Sequence, residues 1–208
     1  MSAAIDRRAL ILGALSVAAG TPTLASPEPQ RVPIELVEEA LELEAAIRVG
    51  NRQGDVTLVE FFDYNCPWCR RSAADLPALL GAEPELAYVL VNFAVLGAPS
   101  VQATKVALGF FSLYGAERYL ALHRRLFALR GAIDGTRALK EASELGASSR
   151  SLLAAADSRE IVDWMTEALR VGNSLGVAAT PSFVIGPEAY QGHLSLEHKR
   201  ALIAKARA

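Results

Sequence analysis

Residues 59–70 read VEFFDYNCPWCR, and they hold the only two cysteines of the chain, Cys66 and Cys69. The apolar run Leu58, Val59, Phe61 and Phe62 predicts a buried strand, and the stretch from Cys69 to Leu80 has helical composition. Cys66 is therefore expected at a helix N-terminus, where unpaired backbone N–H groups and the helix dipole favour an anion. The thiolate is the reactive form of cysteine. Zinc needs four ligands, or three and a water. His123, His193 and His198 are scattered, however, and no second cysteine pair exists. A structural disulfide closing so short a loop would constrain the unfolded chain little. Strand, CxxC and helix in that order point to redox chemistry of the dithiol.

The rest of the composition sets the context. A chain of 208 residues suits one domain, or one domain with an insertion, and can bury a proper core. It is 51% hydrophobic and 21% charged, with a formal net charge of -2, which is the balance of a globular protein. This argues against disorder and against a nucleic-acid partner. Residues 1–25 read as an export signal. Arg7 and Arg8 supply a basic start, Ala9 to Ala19 an apolar stretch, and Thr23, Leu24 and Ala25 a site for cleavage near Ala25. The apolar stretch is too short to span a bilayer comfortably. The paired arginines also resemble a twin-arginine signal, so the export route stays open between two machineries. A periplasmic location is expected, where disulfides persist.

Residues 26–50 read as a linker followed by an acidic amphipathic helix. Leu36, Ala40, Leu43 and Ile47 recur at helical spacing, with Glu35, Glu38, Glu39, Glu42 and Glu44 between them. Such a helix packs on its own domain or pairs with copies of itself into a homo-oligomer. Asn51 to Asp55 form a turn into the first strand, and Leu86 to Leu96 predict the next one. Strand, helix and strand imply a parallel pair. Residues 98–176 are helical by pattern, with Gly115, Gly131, Gly135 and Gly146 as stops. Asp157 with Glu160 resembles a capping box opening the last of these helices. His123 reads as a helix-face residue rather than a ligand, because nothing chelating follows at i+4. After Val177 a short strand, a Gly186–Pro187 turn, a second strand and a helix opened by Ser195 close the chain.

Three motifs in order, VEFFDYNCPWCR (59–70), VNFAVLGAPSVQATKVAL (91–108) and GVAATPSFVIG (176–186), resemble the DsbA branch of the thioredoxin superfamily. The nearest match is to its exported Com1-like and ScsC-like members, from about Gly54 to the C-terminus. The resemblance implies an α/β thioredoxin-like fold with a central mixed β-sheet. Its domain would comprise residues 51–97 and 177–208, interrupted by an all-helical insertion over residues 98–176. It further implies Cys66 as the attacking cysteine and Cys69 as the resolving one. Pro67 and Trp68 lie between them on the substrate-binding face. Pro181 would follow a cis bond, and Thr180 would offer backbone groups to an extended substrate. Glu60 would be the buried acid beneath the dithiol. Among the apolar side chains of Val59, Phe61 and Phe62 a charged glutamate is costly, so its pKa should rise and it could relay a proton for Cys69.

The activity implied is that of a protein disulfide oxidoreductase with no cofactor and no resident metal. Its partners would be client proteins bearing thiols or disulfides, and a membrane redox protein that resets the dithiol. The expected direction is oxidation of clients. Two departures keep an isomerase or reductase open. Trp68 stands where the best-known DsbA oxidases carry histidine, and Thr180 before the proline is shared with isomerases and reductases. A Cu(I)-binding role in copper tolerance is a further alternative, since two thiolates suit that soft ion.

Overall fold

The structure, a computed structural model, describes residues 28–208. The export signal expected over residues 1–25 lies outside the described residues. Strand β3 (Val56–Phe62) organises the rest, because alternate residues of a strand face opposite sides. Leu58 and Phe62 join one core cluster, whereas Val59 and Phe61 join another on the opposite face. β4 (Leu86–Asn92) repeats the division, with Tyr88 and Leu90 on the first side and Val89 and Val91 on the second. A strand buried on both faces reads as a continuous apolar run, which is why both were visible in the sequence.

β3 and β4 pair in parallel, joined by α2 (Pro67–Ala82). On its other side β3 pairs antiparallel with β5 (Ser182–Ile185), which pairs antiparallel with β6 (Glu188–Gln191). Two short strands complete the six-stranded mixed sheet. β1 (Gln30–Arg31) lies against β6, and β2 (Ile47–Gly50) against the outer edge of β4. Thus the expected thioredoxin-like fold with a central mixed sheet is the one observed.

Helices cover both faces. α7 (Leu196–Arg207) joins α2 on the first, with Ser195 capping it as expected. On the second, α1 (Ile34–Glu42) and α6 (Arg159–Ser174) bury Val37, Ala40, Ala168 and Val171 against Val59, Phe61 and Val91. The apolar stripe of α1 therefore packs on its own domain, the first of the two readings given above. The helical segment also contains α3 (Ala98–Ala128), α4 (Gly135–Glu144) and α5 (Ser149–Ala156). α3 is broken at Gly115, whose φ of 77° is readily adopted only by glycine. These three helices extend the first core cluster, while α6 returns to the sheet.

Three sequence expectations are corrected. Leu43 and Ile47 do not continue the first helix. It ends at Glu42, and Ile47 and Val49 alternate inward from β2, since the exposed edge of β4 offers backbone partners that a longer helix would leave unpaired. The strand expected to Leu96 ends at Asn92, because the Val95 and Leu96 amides turn to the Asp63 carboxylate at 2.9 Å each. Asp157 does not cap α6. Ser158 does, accepting from the Ile161 amide, while Asp157 closes α5 and pairs with Lys105 at 2.7 Å.

Gly172 shows how closely α6 meets the sheet. A Cβ there would lie 2.4 Å from Cε2 of Phe93, whose ring is wedged edge-on against Phe61. Glycine to alanine inside a helix ordinarily gains about 1 kcal/mol. Gly172→Ala should instead lose about 1–2 kcal/mol by overpacking, read as a lower urea midpoint. An unchanged or raised midpoint would show that the contact is not tight.

Candidate active site

The β3 parity that places Leu58 and Phe62 toward α2 places Glu60 there too. The chain then leaves the sheet through Asp63, Tyr64 and Asn65 and enters α2 at Pro67, a residue that suits the first helical turn because its missing N–H is not needed there. Cys66 is the residue capping that helix, and its Sγ accepts from the Cys69 amide at 3.4 Å. Its thiol donates to the Thr180 carbonyl at 3.1 Å. The Thr180–Pro181 bond is cis. Both cysteines are free thiols.

The two sulfurs differ sharply. Hydrogen bonding from Cys69, outweighing burial and helped by Thr180 and the Cys69 and Trp68 amides, brings the Cys66 thiol down to about 6. Burial, reinforced by the bond to Cys66 and by the negative charge of Glu60, pushes the Cys69 thiol up. Cys66 is thus the sulfur that ionises first, while Cys69 is held as a thiol.

Beneath Cys69 lies a buried polar cluster. Glu60, 2% exposed, accepts a hydrogen bond from Tyr88 Oη at 2.5 Å. Lys199 of α7, fully buried, donates from Nζ to Ser72 Oγ at 2.6 Å and lies 4.8 Å from the Phe183 ring centroid. Burial raises the Glu60 carboxyl, opposed by the Lys199 ammonium and the Tyr88 and Ser72 hydroxyls. Burial lowers Lys199, opposed by Glu60, Asp75 and Cys69. A buried charge needs a partner or it neutralises. Here burial outweighs each group's attraction to the other, so the carboxyl is raised and the ammonium lowered beside a thiol that must lose and regain a proton.

The loop around the dithiol is pinned by Asp63. Its buried carboxylate accepts from the Asn65 amide and Ser100 Oγ through Oδ1, and from the Val95 and Leu96 amides through Oδ2. Asn65 continues the tie to the helical segment, donating to Ser100 Oγ and Ile133 O and accepting from the Ile133 amide. On the opposite side the Gly192 amide donates to Pro181 O. This brings the His193 ring to 5.3 Å from the exposed Trp68, while the Arg71 guanidinium lies 5.1 Å from the indole.

The structure therefore brings Cys66, Pro67, Trp68 and Thr180 together at the site, with Cys69, Pro181 and Glu60 buried behind them. Sequence reading missed Lys199, Asp63, Ser72 and Tyr88. Lys199 left a signal, since it shares the inward stripe of α7 with Leu202 and Ile203, where a lysine is out of place. His123 is buried among Phe62, Tyr64, Tyr119 and Phe127, and burial lowers its imidazole to about 3, so it is neutral. It faces the core rather than solvent.

The activated thiolate has a direct test. Alkylation of the reduced protein should modify Cys66 alone, with a rate that rises with pH to a plateau and a midpoint near 6. A midpoint at the free-cysteine value of about 8.5 would remove the helix-terminus effect.

Comparison with known proteins agrees with this geometry. The family described as "Thioredoxin" matches residues 42–205. A thioredoxin-like oxidoreductase from Silicibacter pomeroyi DSS-3 superposes with a TM-score of 0.76 at 30% identity, covering 82% of this chain and 96% of that one. The thiol-disulfide exchange protein alpha-DsbA2 from Wolbachia pipientis gives 0.75 at 22%, covering 82% and 91%. A periplasmic thioredoxin-like protein from Salmonella enterica serovar Typhimurium gives 0.75 at 23%, covering 85% and 98%. These last two show likeness of fold. Among proteins of curated function none matches the sequence.

Proposed function

Because the chain belongs to the thioredoxin family, we propose that it is an exported thiol–disulfide oxidoreductase that passes the Cys66–Cys69 disulfide to client proteins. The observation that carries this reading is the asymmetry of the two sulfurs, one lowered to about 6 at a helix N-terminus and the other buried and raised. Export is supported by the basic, apolar and small-residue segments of residues 1–25. Among the described residues no helix is long and apolar enough to cross a membrane.

In the oxidising direction a client thiolate attacks Cys66 Sγ, forming a mixed disulfide and breaking the Cys66–Cys69 bond. Cys69 leaves with the bonding electron pair and takes a proton, for which Glu60 is the buried acid. A second client thiolate then attacks the client sulfur, and Cys66 departs as a thiolate. The client loses two electrons to form its disulfide, and the enzyme holds them as a dithiol. A membrane redox partner removes them to restore the disulfide. The Thr180 carbonyl, already within hydrogen-bonding distance of Cys66, supplies an acceptor for the backbone of an extended client beside the reacting sulfur. Pro67 and the exposed Trp68 flank the same point.

Linkage supports the oxidising direction. A low Cys66 pKa stabilises the reduced folded form, which alone carries the thiolate, and so makes the disulfide easier to give away. Because the folded pKa is depressed, this stabilisation is fully present above the unfolded thiol value of about 8.5 and is lost as pH falls through about 6. The reduced form should therefore resist urea better than the oxidised form at about pH 8, with the difference shrinking toward about pH 5. A reduced form no more stable than the oxidised one would favour a reductase.

Substitutions divide the roles. Cys66→Ser should abolish oxidation of a reduced client, and Cys69→Ser should accumulate mixed disulfide, both read by gel after acid quench. Glu60→Gln should slow client oxidation by roughly a hundredfold, the lower end for a lost proton-transfer group. Turnover retained in both cysteine variants would overturn the site assignment.

A further inference from the structure

Arg70 stands one turn into α2 from Cys66, and its backbone amide donates to the Cys66 carbonyl at 3.1 Å. Its half-buried side chain lines two clefts. One, of about 460 Å³, opens beside Asn65 and Pro67, the chain neighbours of Cys66, and includes Ala132 in the connection between α3 and α4. The other, of about 250 Å³, lies between α2 and α3 and holds Arg124 as well.

One nitrogen of the Arg70 guanidinium is engaged. Nη1 donates to the Phe127 and Leu129 carbonyls at the end of α3, where the helix leaves its last carbonyls without partners. Among the described residues Nε and Nη2 meet no acceptor. These two N–H groups form one edge of the planar guanidinium, and such an edge takes both oxygens of a carboxylate in parallel. With Nη1 fixed on two carbonyls, the free edge is preorganised and loses little freedom on binding.

Nothing in the protein fills that edge. Among the described residues the arginines paired with carboxylates are Arg125, Arg159, Arg170, Arg200 and Arg207, and none of these lines either cleft. No aspartate or glutamate lines them either. Arg71, the next residue of α2, is exposed and lies against the Trp68 indole. The chain as a whole is net acidic at -2, so this concentration of unpaired arginine near the dithiol is local.

We propose that the free edge of Arg70 is a carboxylate subsite, which selects client segments carrying an acidic residue within three positions of the reacting cysteine. The proposal rests on the disulfide-exchange reading above and specifies which cysteines that exchange prefers. An extended chain advances about 3.3 Å per residue, so one to three residues of client cover the single helical turn, about 5.4 Å, that separates Cys66 from Arg70. A glutamate or aspartate there gains two charge-assisted hydrogen bonds. A lysine meets like charge instead.

The test uses the protein in its disulfide form and short serine-rich peptides with a single cysteine. Each of the three positions on either side of the cysteine carries glutamate, glutamine or lysine in turn. One peptide thiolate attacks Cys66 Sγ and Cys69 leaves, and a second peptide thiolate then releases Cys66. Two peptide thiols thus lose two electrons and two protons to form a disulfide, and the protein becomes a dithiol, counted by trapping after acid quench. Each rate is divided by that of the same peptide on hydroxyethyl disulfide, an uncharged reagent, which removes differences in intrinsic reactivity. At one or more positions the glutamate peptide should react roughly tenfold faster than its glutamine isostere, the scale of a hydrogen bond to a charged group. The lysine peptide should be slower than both. Arg70→Gln should bring the glutamate-to-glutamine ratio close to one. Ala132→Glu, which puts a carboxylate of the protein's own on the wall of the same cleft, should do so too. Each ratio is read within one variant, so a change in overall rate does not enter it. A ratio near one in the natural protein, a preference for lysine, or a glutamate preference kept by either variant with native circular dichroism would overturn the subsite. A disulfide form that is reduced by none of the peptides and not by dithiothreitol would instead overturn the exchange reading itself.

Discussion

One buried carboxylate holds the active surface together. Asp63 accepts four hydrogen bonds, from Asn65 and Ser100 on one oxygen and from Val95 and Leu96 on the other. Those donors come from the loop after β3, the loop after β4 and the first turn of α3, so the carboxylate ties the start of α3 to the ends of the two paired strands. Each bond satisfies an oxygen that has no access to water, and removing a donor leaves a buried acceptor unsatisfied. Asn65 extends the tie to Ile133, so the helical segment is fastened to the residues immediately before Cys66.

With that loop fixed, the position of Cys66 at the start of α2 follows, and so does its chemistry. The backbone amides of the first turn have no partners within the helix, and a thiolate supplies one. Three residues on, Cys69 has turned into the core and meets the opposite environment. The Glu60 and Lys199 side chains lie there because β3 parity points Glu60 at α2, and because the stripe of α7 carries a lysine inward to Ser72. The pair keeps a proton acceptor close to a thiol whose own surroundings resist ionisation.

Much of this was legible in the sequence. The two central strands, the dithiol at a helix start and the burial of Glu60 follow from apolar runs and their parity, which act over a few residues. Leu43 and Ile47 misled because their spacing suits a helix equally well, and only the unsatisfied edge of β4 decides for a strand. The end of β4 was equally invisible, since the competitor for the Val95 and Leu96 amides is a side chain about thirty residues away in sequence. Ser158 and Asp157 are adjacent residues of which either can cap a helix, and the ion pair with Lys105 assigns them.

Local order therefore determined which residues would form the reactive pair and what kind of fold would carry them, because strand parity, helix termini and cysteine spacing are properties of short segments. Tertiary structure alone decided how the pair is poised. Thr180 reaches Cys66, Lys199 reaches the site of Glu60, and Ile133 reaches Asn65 across separations that no local pattern encodes. Hydrogen bonds act only at contact distance, so they depend on which distant segments packing brings to the same point.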